Sequence, residues 1–359
     1  MTNLDWRAAT RHRLFWPVAV LVALLLINVP FTPGFFAIHV RAGHLYGSLV
    51  NILIFSAPIV LVALGMTLVI ATGGIDLSVG AVLAIAGAAS CLYISKETDQ
   101  NSLSGVLIAV AIGLGAGLVC GAWNGWLVAG RGVQPIVATL ILMVAGRGVA
   151  QLITSGQIIT INSNTPFGVI GGYWLGFPFS VLLIAVMVTL AVVLTRRTAL
   201  GLLIESVGGN AEASRLVGIR ARRIKLMAYI FCGLCAALAG LINSSNLSAA
   251  DSNNAGLWIE LDAILAVVIG GTSLLGGRFY LGGTVIGALI IETLQNTIFT
   301  IGVPTQTNLV FKAVMVIFVF LLQSPAFRAK VFRRRARPSA PAVADAAPPA
   351  TLTTSEVGR

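Results

Sequence analysis

Long apolar runs broken by short polar stretches set the pattern of this chain. Ten such runs are legible, over residues 14–29, 48–72, 77–94, 104–129, 135–154, 178–195, 224–247, 258–275, 280–302 and 307–322. A helix that crosses hydrocarbon needs about 20 residues, and each run is close to that length. The pattern therefore predicts an all-α, polytopic membrane protein of about ten transmembrane helices. Composition agrees: 57% of the residues are hydrophobic and 10% are charged, against about 25% charged in an ordinary soluble domain. Mean hydropathy is +0.95. A water-soluble surface cannot be covered with so few charges, so the lipid bilayer is the first expected partner.

Charge fixes the expected orientation. The net charge is +11, but the basic residues sit in short clusters beside apolar runs. That is the pattern of membrane topology, and no nucleic-acid partner is expected. With ten spans and both termini in the cytoplasm, 19 of the 23 Lys and Arg fall on inside segments and two, Arg41 and Lys96, outside. The inside set comprises three in the N-tail, Arg131, seven in the central loop, Arg278 and seven in the C-tail. An odd number of spans would spoil this bias. The first run begins like a secretory leader, yet no small-residue cleavage motif follows directly, so a retained first helix is expected. The organisation is then an N-tail at 1–13, a membrane domain at 14–325, and a basic, then Pro/Ala-rich, C-tail at 326–359 expected to be disordered.

Residues 196–225 interrupt the apolar pattern most strongly. They carry Arg196, Arg197, Arg215, Arg220, Arg222, Arg223 and Lys225, with Glu205 and Glu212. A polar loop of this length must lie in water, and Asn210 before Ala-Glu-Ala-Ser-Arg-Leu reads as the cap of a short helix. It is either a plain solvated connection or a docking element for a soluble partner.

Other signals concern packing. Gly113, Gly117, Gly121 and Gly125 recur at i, i+4 and make one smooth helical stripe for close helix approach. Cys232 and Cys235 have a metal-like spacing but no second Cys pair or His nearby, so they read as packing residues and no metal is expected. The Gly-rich turns near 73–80 and 270–278 suggest a parallel internal repeat, a feature of many transporters.

Catalytic signatures are missing. None of the four lysines follows a glycine, so there is no P-loop and no means of binding ATP in that way. There is no H-E-x-x-H and no G-x-S-x-G, and no catalytic residue is assigned. The charges within or beside the spans are Asp76, Arg147, Glu260, Asp262, Glu292 and Lys312. Each costs about 2.5–3.5 kcal/mol on insertion scales, so each should face protein or water. Asp76, with Ser78, reads as a helix cap in a hairpin or as a pathway residue. Glu260 and Asp262, two apart, point to different faces of a helix. Arg147 and Lys312 are expected to pair with these acids or to line a pathway. Glu292, near the centre of its run, keeps an ion-coupled secondary sugar transporter open as the alternative class.

The motifs themselves carry a resemblance. G-M-T-L-V-I-A-T-G-G-I-D-L-S-V-G-A (65–81) and E-L-D-A-I-L-A-V-V-I-G-G-T-S-L-L-G-G-R (260–278) resemble the signatures of permease subunits in bacterial ATP-binding cassette (ABC) sugar importers of the ribose type. The stretch G-G-N-A-E-A-S-R-L-V-G-I (208–219) resembles that family's cytoplasmic coupling segment, within a coupling loop at 196–223. I-L-M-V-A-G-R-G-V-A-Q-L-I-T-S-G-Q-I (141–158) and N-N-A-G-L-W-I-E-L-D-A-I (253–264) are similar to the galactofuranose-importing subgroup. The likeness covers about 14–325. It implies a multi-pass subunit of the bacterial inner membrane that moves a monosaccharide. It implies two permease copies or a related pair, ABC ATPase subunits that hold ATP and Mg, and a periplasmic sugar-binding protein. It places Glu205, Gly208, Gly209, Asn210, Glu212, Ser214, Arg215 and Gly218 on the coupling surface, with Glu212 and Arg215 free to pair with charges on the ATPase.

Overall fold

A computed structural model describes residues 14–302, apart from 42, 163 and 164, together with 307, 310, 313, 314, 317 and 321. The N-tail, most of the tenth expected span with Lys312, and the C-tail lie outside the described residues.

Helices dominate. Helix α1 is Phe15–Ile27, α2 Ser48–Ala71, α3 Val79–Lys96, α4 Leu103–Gly125, α5 Pro135–Ile153, α6 Gly168–Gly171 and α7 Phe179–Arg196. Then come α8 Leu200–Gly209, α9 Ala211–Leu216, α10 Ala221–Leu247, α11 Ile259–Ile269 and α12 Leu281–Thr300. A π-helical turn, Trp126–Gly130, continues α4. Among the described residues seven helices (α2, α3, α4, α5, α7, α10 and α12) are long and apolar enough to cross a membrane. These match seven of the expected runs to within a few residues. Helix α1 is shorter than its run, at 13 residues.

Two expectations change. The eighth run, 258–275, is not one span: α11 has 11 residues, about 17 Å at 1.5 Å per residue, too short for a bilayer about 30 Å thick. Gly271, with φ +88°, stops the helix just after Ile269, and Gly276 and Gly277, at +87° and +88°, turn the chain that follows, all in a conformation other residues avoid. The chain then folds back into α12, where the Tyr280 amide donates to Thr272 Oγ1 at 3.1 Å. Nor is the structure wholly helical. Among the described residues six strands of two or three residues form antiparallel pairs: β1 His39–Arg41 with β2 His44–Tyr46, β3 Ile159–Thr160 with β6 Ala249–Ala250, and β4 Tyr173–Trp174 with β5 Phe177–Pro178. Tyr173 Oη ties two of them together by donating to the Leu45 carbonyl at 2.9 Å.

The core forms around α2 and α10. Lipid tails are as apolar as leucine, so helices here associate by close fit rather than by escape from water. The small, buried positions of α10 divide between two neighbours: Gly233 and Ala237 meet the glycine stripe of α4, while Gly240 packs on the Leu83 carbonyl and Ser244 on Gly87, both of α3. A Cβ on Gly117 would lie 2.5 Å from the Gly233 carbonyl oxygen, and one on Gly121 would lie 2.6 Å from that of Tyr229. At the outer positions, Gly113 packs on Ser90 and Gly125 on Leu226. Cys232 and Cys235 are buried thiols against Gly65 of α2.

Candidate functional site

The polar element between α7 and α10 folds into two short helices. Asn210, in an extended conformation, ends α8 and caps α9: its Oδ1 accepts the amides of Glu212 at 3.0 Å and Ala213 at 2.9 Å. At the other end Gly218, with φ +86°, closes α9. Its amide donates to the Arg215 carbonyl, and the Ile219 amide donates to that of Ser214, both at 3.0 Å. This paired closure satisfies the last carbonyls of the helix and needs the left-handed residue that glycine supplies. Ser214 is buried and donates to the Asn210 carbonyl at 2.8 Å. Glu212 and Arg215 pair with each other at 2.6 Å while both remain about 70% exposed, so the pair adds little stability and stays available to a partner. Leu216 and Val217 are 80% and 76% exposed. Two adjacent apolar side chains in water, amid charges, mark a surface that expects cover. The sequence reading missed them; their adjacency just before Gly218 was the available signal.

Gly208 brings this element against the membrane body. A Cβ at this position would fall onto the Ala71 carbonyl oxygen and within 2.5 Å of the Gly277 amide nitrogen. Those two groups are hydrogen-bonded to each other at 3.0 Å. Gly276 in turn packs on the Gly208 carbonyl and on the backbone of Gly73. Three backbones thus meet without side chains between them: the end of α8, the turn after α2, and the turn after α11. Gly209, its neighbour, faces open space, and Glu205 lies half-buried one turn earlier in α8.

Asp76 and Ser78 brace the first of these turns. Asp76 Oδ1 accepts from the Ser78 amide at 3.0 Å, the Ser78 hydroxyl at 2.6 Å and Asn124 Nδ2 at 3.2 Å; Asn124 also donates to Ser78 Oγ at 2.8 Å. All three residues are buried. Tyr229 Oη of α10 donates to the Ile75 carbonyl at 3.3 Å. The turn is therefore clamped by α4 and α10, and helix α3 begins only at Val79.

Arg147 does not pair with Glu260 or Asp262 as expected. Its guanidinium donates to the carbonyls of Ala255 at 2.6 Å and Ser252 at 3.1 Å. The loop after α10 folds over α5 and presents these oxygens first. Asp251 in that loop accepts from Asn254 Nδ2 at 2.7 Å. That hydrogen bond, with those of the Asn253 and Asn254 amides, holds its carboxyl below the usual range. Glu260 instead lies over Gly80 at the start of α3, where a Cβ would meet its carboxylate at 2.7 Å. Asp262 turns the other way and accepts from Gln295 Nε2 of α12 at 3.3 Å. Asp262 and Glu292 line a cavity of about 500 Å³ between α2, α10, α11 and α12. Asp76, Ser78, Arg147 and Glu260 do not line it.

Residues 48–320 match the family described as the permease component of branched-chain amino acid transport systems. The galactofuranose transporter permease protein of Escherichia coli K12 is 50% identical over 322 residues, which is 88% of this chain and 93% of that protein. The fructose import permease protein of Bifidobacterium longum NCC 2705 is 42% identical, covering 90% and 92%. The ribose import permease protein of E. coli K12 is 39% identical, covering 86% and 92%. No solved structure matches. A multi-pass helical body, a capped polar element that meets two glycine turns backbone to backbone, and matches along nearly its whole length together establish that this chain belongs to that family of membrane transport permease components.

Proposed function

We propose that the chain is the membrane-spanning permease subunit of an ATP-driven importer for a monosaccharide, galactofuranose or a related pentose or hexose. It works in the bacterial inner membrane as a multi-pass subunit with both termini in the cytoplasm, beside a second copy or a paralogue. Separate ABC ATPase subunits bind ATP and Mg, and a periplasmic binding protein delivers the sugar. The relatives named for galactofuranose, fructose and ribose support the substrate class. The observation that carries the mechanism is the junction of Gly208 with Ala71 and Gly277. Closure of an ATPase dimer against Leu216, Val217, Glu212 and Arg215 displaces α9 and α8. The motion passes through backbone contact, without loss in flexible side chains, to the turns that end α2 and α11. Those turns close or open the inner end of the path.

Gly218→Trp and Glu212→Arg test this. Both sit on the exposed part of the element, so membrane insertion should survive while sugar uptake is lost. Full transport in both variants removes the docking role. Glu292 in the polar cavity favours the second reading, an ion-coupled carrier. Uptake into vesicles that follows ATP and ignores a collapsed proton gradient excludes it; loss of uptake with an uncoupler at constant ATP supports it.

A further inference from the structure

Glu292, Gln295, Asn296 and Phe299 fall at i, i+3, i+4 and i+7 of α12 and form one stripe of that helix. The whole stripe lines the cavity, where Asp262 of α11 and Asn243 of α10 join it. Glu292 lies about 16 Å along α12 from its start at Leu281, roughly halfway across a hydrocarbon layer of about 30 Å. Carboxylates and carboxamides at that depth are costly against lipid tails. Asp262 accepts from Gln295 Nε2 at 3.3 Å, and Glu292, Asn243, Asn254 and Asn296 add further polar groups to the same wall, so the hollow suits water or a polar solute. Its volume of about 500 Å³ falls within the roughly 300–1,000 Å³ of small-molecule sites.

The lining chemistry narrows the solute. Sugar hydroxyls both donate and accept. Carboxylates accept, and carboxamides do both, so the wall can serve several hydroxyls at once. Phe299 and Phe55 also line the cavity, and an aromatic ring can pack on the C–H side of a sugar ring. A metal ion fits less well: among the described residues no three His, Cys, Asp or Glu come together to hold one.

We propose that this cavity is a transit site that binds one monosaccharide by its hydroxyls, and that Gln295, Asn296 and Phe299 select among sugars inside the permease itself. This rests on the importer reading above. The test uses the complete importer in liposomes, this chain with its ATPase and sugar-binding protein, and measures sugar imported per ATP hydrolysed for radiolabelled D-galactose, D-ribose and D-fructose. Gln295→Ala and Asn296→Ala should lower that ratio about tenfold for the preferred sugar, the scale expected when one hydrogen-bonding partner is removed. Phe299→Leu, which keeps apolar bulk but loses the ring face, should change the ranking of the three sugars. Leu182→Ala, on an apolar exposed face of α7, should leave the ratio alone. A wild-type ratio and ranking in every cavity variant overturns the proposal. So does loss of uptake and hydrolysis in step, which would make these residues structural. If the wild-type importer shows no ATP-driven uptake, the parent reading fails and this one with it; wild-type uptake with indifferent variants sinks this one alone.

Discussion

Gly208 and Gly209 are neighbours at the end of α8, yet one methyl group added to each should act in opposite directions. A Cβ on Gly208 collides with the Ala71 carbonyl oxygen and comes 2.5 Å from the Gly277 nitrogen, where carbon contacts need about 3.5–4.0 Å. Both obstacles are backbone, so no rotamer change relieves them. Overpacking of this kind costs about 1–3 kcal/mol. Pushing the turn away also strains the Gly277–Ala71 hydrogen bond, whose loss costs about 1–3 kcal/mol where its groups are buried. The better helix propensity of alanine returns about 0.5–1 kcal/mol. Gly208→Ala should therefore destabilise by about 2–4 kcal/mol, the middle of that sum. At Gly209 a Cβ meets nothing within 4 Å and the backbone φ is not left-handed, so only propensity acts, worth at most about 0.5–1 kcal/mol in favour of alanine. Thermal unfolding of the purified chain in detergent, followed by tryptophan fluorescence, reads both. Gly208→Ala should melt lower than wild type, and Gly209→Ala equal or higher. Equal melting of the two, or a lower value for Gly209→Ala, would refute the three-backbone junction. On the proposed function Gly208→Ala also loses ATP-driven uptake.

Gly117→Val should separate α4 from α10, because its side chain meets the Gly233 carbonyl and Ala237. The expected loss is about 1–3 kcal/mol, while Gly115→Ala, facing open space, should melt as wild type or slightly higher. Arg147→Gln removes charged hydrogen bonds to the Ser252 and Ala255 carbonyls, each worth about 1.5–3 kcal/mol. The loop at 251–256 should then become more sensitive to protease than in wild type, and unchanged cleavage would contradict that tie. Asn210→Ala removes the acceptor of two amides, about 1 kcal/mol of cap. It should loosen α9 to hydrogen exchange, and Asn210→Asp, which keeps the acceptor, should restore protection.

Run length and composition made most of the helical body legible, because a spanning helix must be continuously apolar whatever it packs against. The same rule misread 258–275. Gly270, Gly271, Gly276 and Gly277 are apolar enough to extend a hydrophobic run, and hydropathy alone does not separate a span from a half-length helix followed by a glycine turn. The cap at Asn210 and the stop at Gly218 were local chemistry, and local chemistry is visible in sequence. The partners of Arg147 were not, since they depend on where the loop after α10 comes to rest. Equally invisible was the difference between Gly208 and Gly209: the motif names both, and only packing shows which one lies against another backbone. The polar stripe at 292, 295, 296 and 299 was open to a helical-wheel reading. Glu292 alone stands out from the sequence, because charge departs sharply from an apolar run and carboxamides do not.

Helix α2 joins the two halves of the proposed mechanism. Its inner end, Ala71, takes part in the Gly208 junction, and its residues Phe55, Pro58 and Ile59 wall the cavity. From Ile59 to Ala71 the helix is buried at nearly every position, and it bonds sideways to α12, where Thr67 and Thr284 hydroxyls meet at 2.9 Å. A packed helix of about 18 Å does not bend easily. Displacement at Ala71 therefore travels along it, together with α12, until the chain meets a weaker point. Pro58 supplies that point: it lacks the amide that would bond one turn back and favours a kink there. Pro58 lines the cavity itself, so on the proposed mechanism motion that enters at the glycine junction would change the shape of the polar hollow. On this reading the cavity grips or releases its sugar in step with the inner turns. A sugar site fixed on rigid walls, with gating confined to the turns, would place the proline anywhere but here.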